Sequence, residues 1–226
     1  MLSDECPKRF GRRGRGALLT ALAIGFASFY APPLTAQQEK LQYSIGVLRQ
    51  LPEPPAWETA FTRPPEDEGI AGARLAIEDN STTGAFLNQE FSLTEEVIGP
   101  DDDPMEAFER LVGADVAYLL LDVPAEQMTA IADAAPEEML LFNAGAHEDR
   151  LRNEDCRLNL FHSAPSHSML TDALAQYMVT KRWTNWLLIE GTRPGDKLYA
   201  DALRRSAEKF GIRIVDERVW DFGPDT

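Results

Sequence analysis

The residues of this chain best suited to chemistry gather around one short stretch, Asn143-Ala144-Gly145-Ala146-His147, and one upstream carboxylate, Asp122. Asp122 closes Val116 to Leu121, a continuous apolar run that reads as a strand buried on both faces, so its carboxylate falls at the C-terminal edge of a sheet. Met139 to Phe142 forms the next strand. The small-residue run Ala144 to Ala146 that follows leaves backbone N–H and C=O groups uncovered by side chains. Open α/β sheets hold ligands outside the carboxyl ends of their parallel strands, so the chemistry on offer is hydrogen bonding to a small molecule. His147 and, in an earlier loop, Arg63 are the basic residues nearest this expected cleft. Trp57 is the ring placed to stack on a flat ligand.

Groups for bond-breaking chemistry are missing from the pattern. There is no nucleophile elbow, two-cysteine metal pair or dinucleotide fingerprint, and no nucleophile stands beside a base, so an enzyme is not expected. Gly191-Thr192-Arg193-Pro194-Gly195 lies between strand and helix as a phosphate loop would, but lacks the Lys-Ser/Thr ending. Cys156, His162 and His167 are spaced too irregularly for a zinc site and read as three separately satisfied residues.

Charge and processing narrow the class further. The 226 residues carry a formal net charge of −15, a surface that excludes nucleic acid as a partner. An anionic ligand would need a local basic pocket working against that field. Lys8, Arg9, Arg12, Arg13 and Arg15 precede the short apolar run Ala17 to Phe29, and Leu34-Thr35-Ala36 offers a cleavage site. Residues 1–36 therefore read as a secretory signal peptide cleaved near Ala36, which places the mature chain in the periplasm. Only Cys156 survives cleavage, so no intramolecular disulfide can form.

The elements that must position the site alternate strand and helix. Tyr43 to Arg49 is the first strand. A proline-rich loop over residues 50–66 follows, whose Trp57 and Phe61 either line a cleft or tack the loop to the scaffold. Ile70, Ala73 and Ile77 mark a helix from Glu66 to Asn80, with Gly84 closing a turn. Glu90 to Val97 is a strand. Asp103-Pro104-Met105-Glu106 caps a helix bearing Phe108, Leu111 and Val112. After Asp122, Pro124 starts a helix through Ala134. Four strands and three helices in this order predict a parallel, doubly wound α/β lobe over residues 37–160. The next strand candidate, Leu158 to Phe161, spans the boundary and opens a second series, whose lobe is set at residues 161–226. The stripe Leu170, Ala173, Leu174, Tyr177 and Met178 then predicts a helix from Ser168 to Lys181. Strand Trp186 to Ile189, a helix stopped by Gly211 and strand Ile212 to Val219 complete what reads as an incomplete second α/β lobe, as if the chain were truncated.

Ile45-Gly46-Val47, the long first loop, Gly72 to Asn80, Gly84 and Phe142 to Ala146 together resemble the type I periplasmic binding proteins, the leucine-binding-protein-like receptors of ABC importers. Within that family, Ala73 to Asn80, Leu141 to Ala146, Leu170 to Met178 with Lys181-Arg182-Trp183, and Tyr199 to Arg205 are similar to a subgroup associated with pyrroloquinoline quinone (PQQ)-dependent alcohol dehydrogenase systems. The resemblance implies a ligand held by Asp122 and Val123, by Asn143, Ala144, Gly145 and Ala146, and in the second lobe by Thr192 and Tyr199. Asp122 and the Ala-Gly-Ala run stand where the family often has hydroxyl residues, which argues against an amino-acid ligand.

The implied function is that of a periplasmic substrate-binding protein that traps a small polar ligand between two lobes and presents it to an ABC transporter permease. No cofactor is required, and PQQ is a candidate ligand. The alternative is a ligand-sensing or cofactor-handling partner of a PQQ-dependent alcohol dehydrogenase that works without a permease.

Overall fold

The computed structural model describes residues 40–54, 61, 63–65 and 67–221. Residues 1–36, expected to be a signal peptide, and Trp57 lie outside the described residues. Seven strands and five α-helices follow in order: β1 (Leu41–Gln50), α1 (Ile70–Leu87), β2 (Gln89–Ile98), α2 (Pro104–Gly113), β3 (Tyr118–Asp122), α3 (Ala125–Ala134), β4 (Leu140–Asn143), β5 (Leu160–His162), α4 (His167–Thr180), β6 (Asn185–Gly191), α5 (Pro194–Phe210) and β7 (Arg213–Trp220). A 3-10 turn, Asp149–Arg152, lies between β4 and β5.

The first five strands form one parallel sheet in the order β2-β1-β3-β4-β5. Chain order therefore reverses between β1 and β3, which makes the C-terminal ends of these two strands the crevice of the sheet. Apolar alternation explains why the strands sit where they do. Leu48, Leu119, Leu121 and Leu141 are fully buried with Leu111 of α2 and with Met128 and Ile131 of α3. Neighbouring residues of β2 show that helices lie on both faces. Glu96 pairs with Arg110 of α2 at 2.8 Å, while Glu95 pairs with Arg74 of α1 at 2.6 Å, and successive side chains of a strand point to opposite faces.

α1 differs from its expected bounds. It begins at Ile70 and runs on to Leu87, so Gly84 lies inside the helix instead of closing a turn. Close packing is the reason: a Cβ at Gly84 would stand 2.8 Å from the Phe91 ring and 3.0 Å from Gln89 O. The helix ends at Asn88 in the left-handed conformation, φ 57°.

β5 departs more. Expected to open the second series, it is hydrogen-bonded to β4, with Asn143 opposite His162, and it completes the first sheet. The second sheet contains β6 and β7 in parallel, with α5 packed against it and α4 packed on α5. Gly211 stops α5 at φ 68°, as expected of a left-handed helix cap. The α4 stripe is turned the other way from its expected role: Leu170 and Leu174 are each 37% exposed and Tyr177 54%. What packs on α5 is the small face of Thr171 and Ala175, because Thr171 Oγ1 meets Ser206 Oγ at 2.8 Å and neither residue is exposed.

Candidate functional site

β1 and β3 set two charged residues opposite one another at the crevice. Arg49 and Asp122 are register partners, so their side chains share a face at the strands' C-terminal ends. Arg49 Nε lies 3.4 Å from Asp122 Oδ2, and Arg49 Nη2 donates to Glu68 Oε2 at 3.0 Å, just before α1. The Arg49 side chain is only 11% exposed, whereas that of Asp122 is 42% exposed. Nε is buried without a hydrogen-bond partner, since its approach to Asp122 has ion-pair distance but not bonding geometry. Both residues border a cavity of ≈ 520 Å³ that continues past Val123, Gly145, Ala146 and His147 to His167. A larger cavity of ≈ 840 Å³ lies at the other end of the sheet, around Ser44, Ala117 and Met139. The smaller one is the candidate, because it occupies the topological switch point and gathers the titratable groups.

The loop after β4 is built differently from its sequence reading. Its N–H groups are engaged, not open. Ala144 N–H bonds to Leu121 O at 2.9 Å, and those of Gly145 and Ala146 bond to Asn143 Oδ1 at 3.1 and 2.8 Å. Asn143 Nδ2 donates to Ala146 O at 2.7 Å and lies 3.1 Å from His162 Nδ1. Asn143 is fully buried and holds the loop from beneath. The loop thus offers the cleft a shape, a flat floor with no side chain at Gly145, instead of a row of donors.

His147 and His167 form the opposite wall. His147 Nδ1 lies 2.6 Å from Pro165 O, and a carbonyl only accepts, so Nδ1 carries the proton and Nε2 is the acceptor of the neutral ring. The two imidazoles stand 5.8 Å apart, and His167 meets Tyr199 edge-on at 5.5 Å. Burial, with help from the neighbouring His147, pushes the His167 pKa below its ordinary value against the pull of Glu148 and Asp149. α3 begins after Pro124, which borders the cavity, and no side chain caps the helix.

The expected site residues therefore divide. Asp122, Val123, Gly145, Ala146 and His147 border the cavity. Asn143 supports it from below, Ala144 is exposed beside it, and Tyr199 stands behind His167. Thr192 does not border it and bonds Asp221 at 3.2 Å, and Arg63 is exposed outside its lining. Arg49, Glu148 and His167 border the cavity and were not expected. Arg49 had a legible signal: a cation at the end of the first strand, where the cleft of an open α/β sheet must lie. Among the described residues no cluster of three or more His, Cys, Asp or Glu could hold a metal ion.

A parallel sheet with this strand order places a polar crevice at its switch point, where open α/β sheets hold ligands. The family model described as periplasmic binding protein matches residues 65–225, and the chain belongs to that family. Similar solved structures include a branched chain amino acid ABC transporter periplasmic ligand-binding protein from Burkholderia xenovorans LB400, 19% identical, covering 82% of this chain and 48% of that one at a TM-score of 0.65. A leucine-, isoleucine-, valine-, threonine- and alanine-binding protein from Brucella ovis, in a closed conformation, is 15% identical over 81% of this chain and 47% of that one, TM-score 0.61. A solute binding protein of an ABC transporter from R. palustris, in complex with benzoate, is 15% identical over 80% of this chain and 48% of that one, TM-score 0.55. The chain spans about half the length of these structures, and at such identities the likeness is one of fold. No curated protein sequence matches it.

Proposed function

We propose that this chain acts in the periplasm as the receptor of an ABC importer, binding one small polar ligand in the cleft between Arg49-Asp122 and His147-His167 and presenting it to a permease. The observation that carries this reading is the cavity at the β1/β3 switch point, with a guanidinium, carboxylates and imidazoles around one space of ≈ 520 Å³. Family membership and the printed roles of the solved relatives support it. Among the described residues the site provides binding groups of both signs, which suits the proposed role of capturing a ligand.

The finer reading is that PQQ or a related compound is the ligand and a periplasmic alcohol dehydrogenase system the partner. Its support is the sequence resemblance of Ala73 to Asn80, Leu141 to Ala146, Leu170 to Met178 with Lys181-Arg182-Trp183, and Tyr199 to Arg205. A planar polycarboxylate needs a cation, and among the described residues Arg49 brings a guanidinium to the cleft, though Glu68 and Asp122 already engage it. Titration calorimetry of the folded chain against branched-chain amino acids, benzoate and PQQ tests both levels. Saturable binding of one equivalent supports the receptor reading, and a preference for PQQ supports the finer one. A folded chain that binds none of them overturns the proposal. Co-purification with dehydrogenase components but no permease would favour the role without a permease.

A further inference from the structure

Asp149 opens the 3-10 turn two residues beyond His147 and is not among the residues bordering the cleft. Its two carboxylate oxygens reach two different helices. Oδ1 accepts the backbone N–H of Ser168 at 3.0 Å, in the first turn of α4, and Oδ2 accepts from Arg205 Nη2 of α5 at 2.9 Å. The Arg205 guanidinium also donates to Ser168 Oγ, which closes a ring of contacts through loop, α4 and α5. The Asp149 side chain is 23% exposed and that of Arg205 52%, so the carboxylate is partly shielded while the guanidinium stays at the surface, and the Ser168 N–H adds a charge-assisted bond from the backbone.

The same loop meets the same helices a second way. His147 O accepts the His167 N–H at 2.8 Å, and the rings of His147, His167 and Tyr199 run in contact from the cleft wall to α5. Two of those rings border the cavity. Where they stand relative to Arg49 and Asp122 therefore depends on how the loop is held against α4 and α5.

We propose that Asp149 is a positioning residue of the cleft: with Ser168 and Arg205 it clamps the His147-Glu148 wall to α4 and α5 and so fixes the two imidazoles that face the ligand. Its meaning for binding rests on reading the cleft as the ligand site, while its test uses no ligand and can fail separately. A surface decoration would leave the histidines unmoved when removed. A clamp would release them.

The full chain is compared with Asp149→Asn, Arg205→Met and Arg205→Lys by NMR, following amide hydrogen exchange and the imidazole resonances of His147 and His167. Loss of the clamp should speed exchange of the His167 amide by about tenfold, in line with local opening after loss of one charge-assisted contact, while Leu119 and Leu121 in β3 keep their rates. The resonances of both imidazoles should shift in Asp149→Asn and Arg205→Met, and Arg205→Lys should recover most of both effects. Unchanged histidine signals in Arg205→Met overturn the proposal. So does acceleration of β3 and His167 by the same factor, which would make the contact one of general stability. Should Asp149→Asn not fold, the two Arg205 variants decide alone.

Discussion

The Asp122 carboxylate lies over the backbone of Gly145, so close that a Cβ at residue 145 would stand 1.9 Å from Oδ1. Gly145 is needed for this approach and not for an unusual backbone angle, since it is absent from the positive-φ residues. Gly145→Ala should therefore push the Asp122 side chain off the loop and away from Arg49. The clash is with the end of a movable side chain, so the stability cost should stay near 1 kcal/mol by urea denaturation. Ligand affinity should change by more than that cost accounts for. An unaltered affinity would show that the Asp122 position does not matter to binding.

Asn143 makes the opposite case, a polar residue whose work is internal. Its amide satisfies the Gly145 and Ala146 N–H groups and donates to Ala146 O, all without exposure. Asn143→Ala removes these partners at once and should cost about 2–4 kcal/mol, measured as a lowered urea midpoint at constant slope. A loss under about 0.5 kcal/mol, the usual range for a surface position, would refute the loop-staple role.

These two residues also show what sequence can and cannot carry. The strand and helix alternation, the Asp103 cap, whose side chain accepts from Met105 N at 2.8 Å, and the place of Asp122 were legible because they follow from local periodicity and capping chemistry. The engagement of the loop N–H groups was not, because it depends on which way the Asn143 amide turns within a register set by β3 and β5. β5 was assigned to the wrong series for a related reason: three residues carry no mark of the sheet they join. The α4 stripe misled because hydrophobic spacing identifies an apolar face but not the neighbour it meets, and here Thr171 and Ala175 do the packing.

His162 and His167 predict a pH dependence. Burial is the first cause that lowers both pKa values, with Arg152 adding to it at His162 and His147 at His167. A folded-state pKa below the unfolded value means the unfolded chain takes up the proton first as pH falls. Stability from neutral imidazole is therefore present above the ordinary value of 6.5 and is lost as pH drops from there through the folded-state values. Urea midpoints should fall steadily below that value, and His167→Gln should flatten part of the slope. A slope identical in the variant would assign the effect to other groups.

The last prediction sets two arginines against each other. Arg63, in the proline-rich loop, and His147 were the basic residues expected near the cleft, and the structure places Arg49 on its border beside His147, with the guanidinium between Glu68 and Asp122. Arg49→Met keeps most of the side-chain volume but leaves the two carboxylates without their shared cation, so it should cost about 1–3 kcal/mol of stability. Affinity for whichever member of the calorimetric panel binds should change by about tenfold or more, as expected for one desolvated charge-assisted contact. The sign of that change carries information: weaker binding identifies Arg49 as a direct partner of ligand oxygen, whereas tighter binding of an amino acid would mean that the freed Asp122 contacts its ammonium group. Arg63→Ala, at an exposed position outside the cavity lining, should alter affinity by less than about twofold. The reverse ranking, a large effect at Arg63 and none at Arg49, would move the site from the β1/β3 crevice to the first loop.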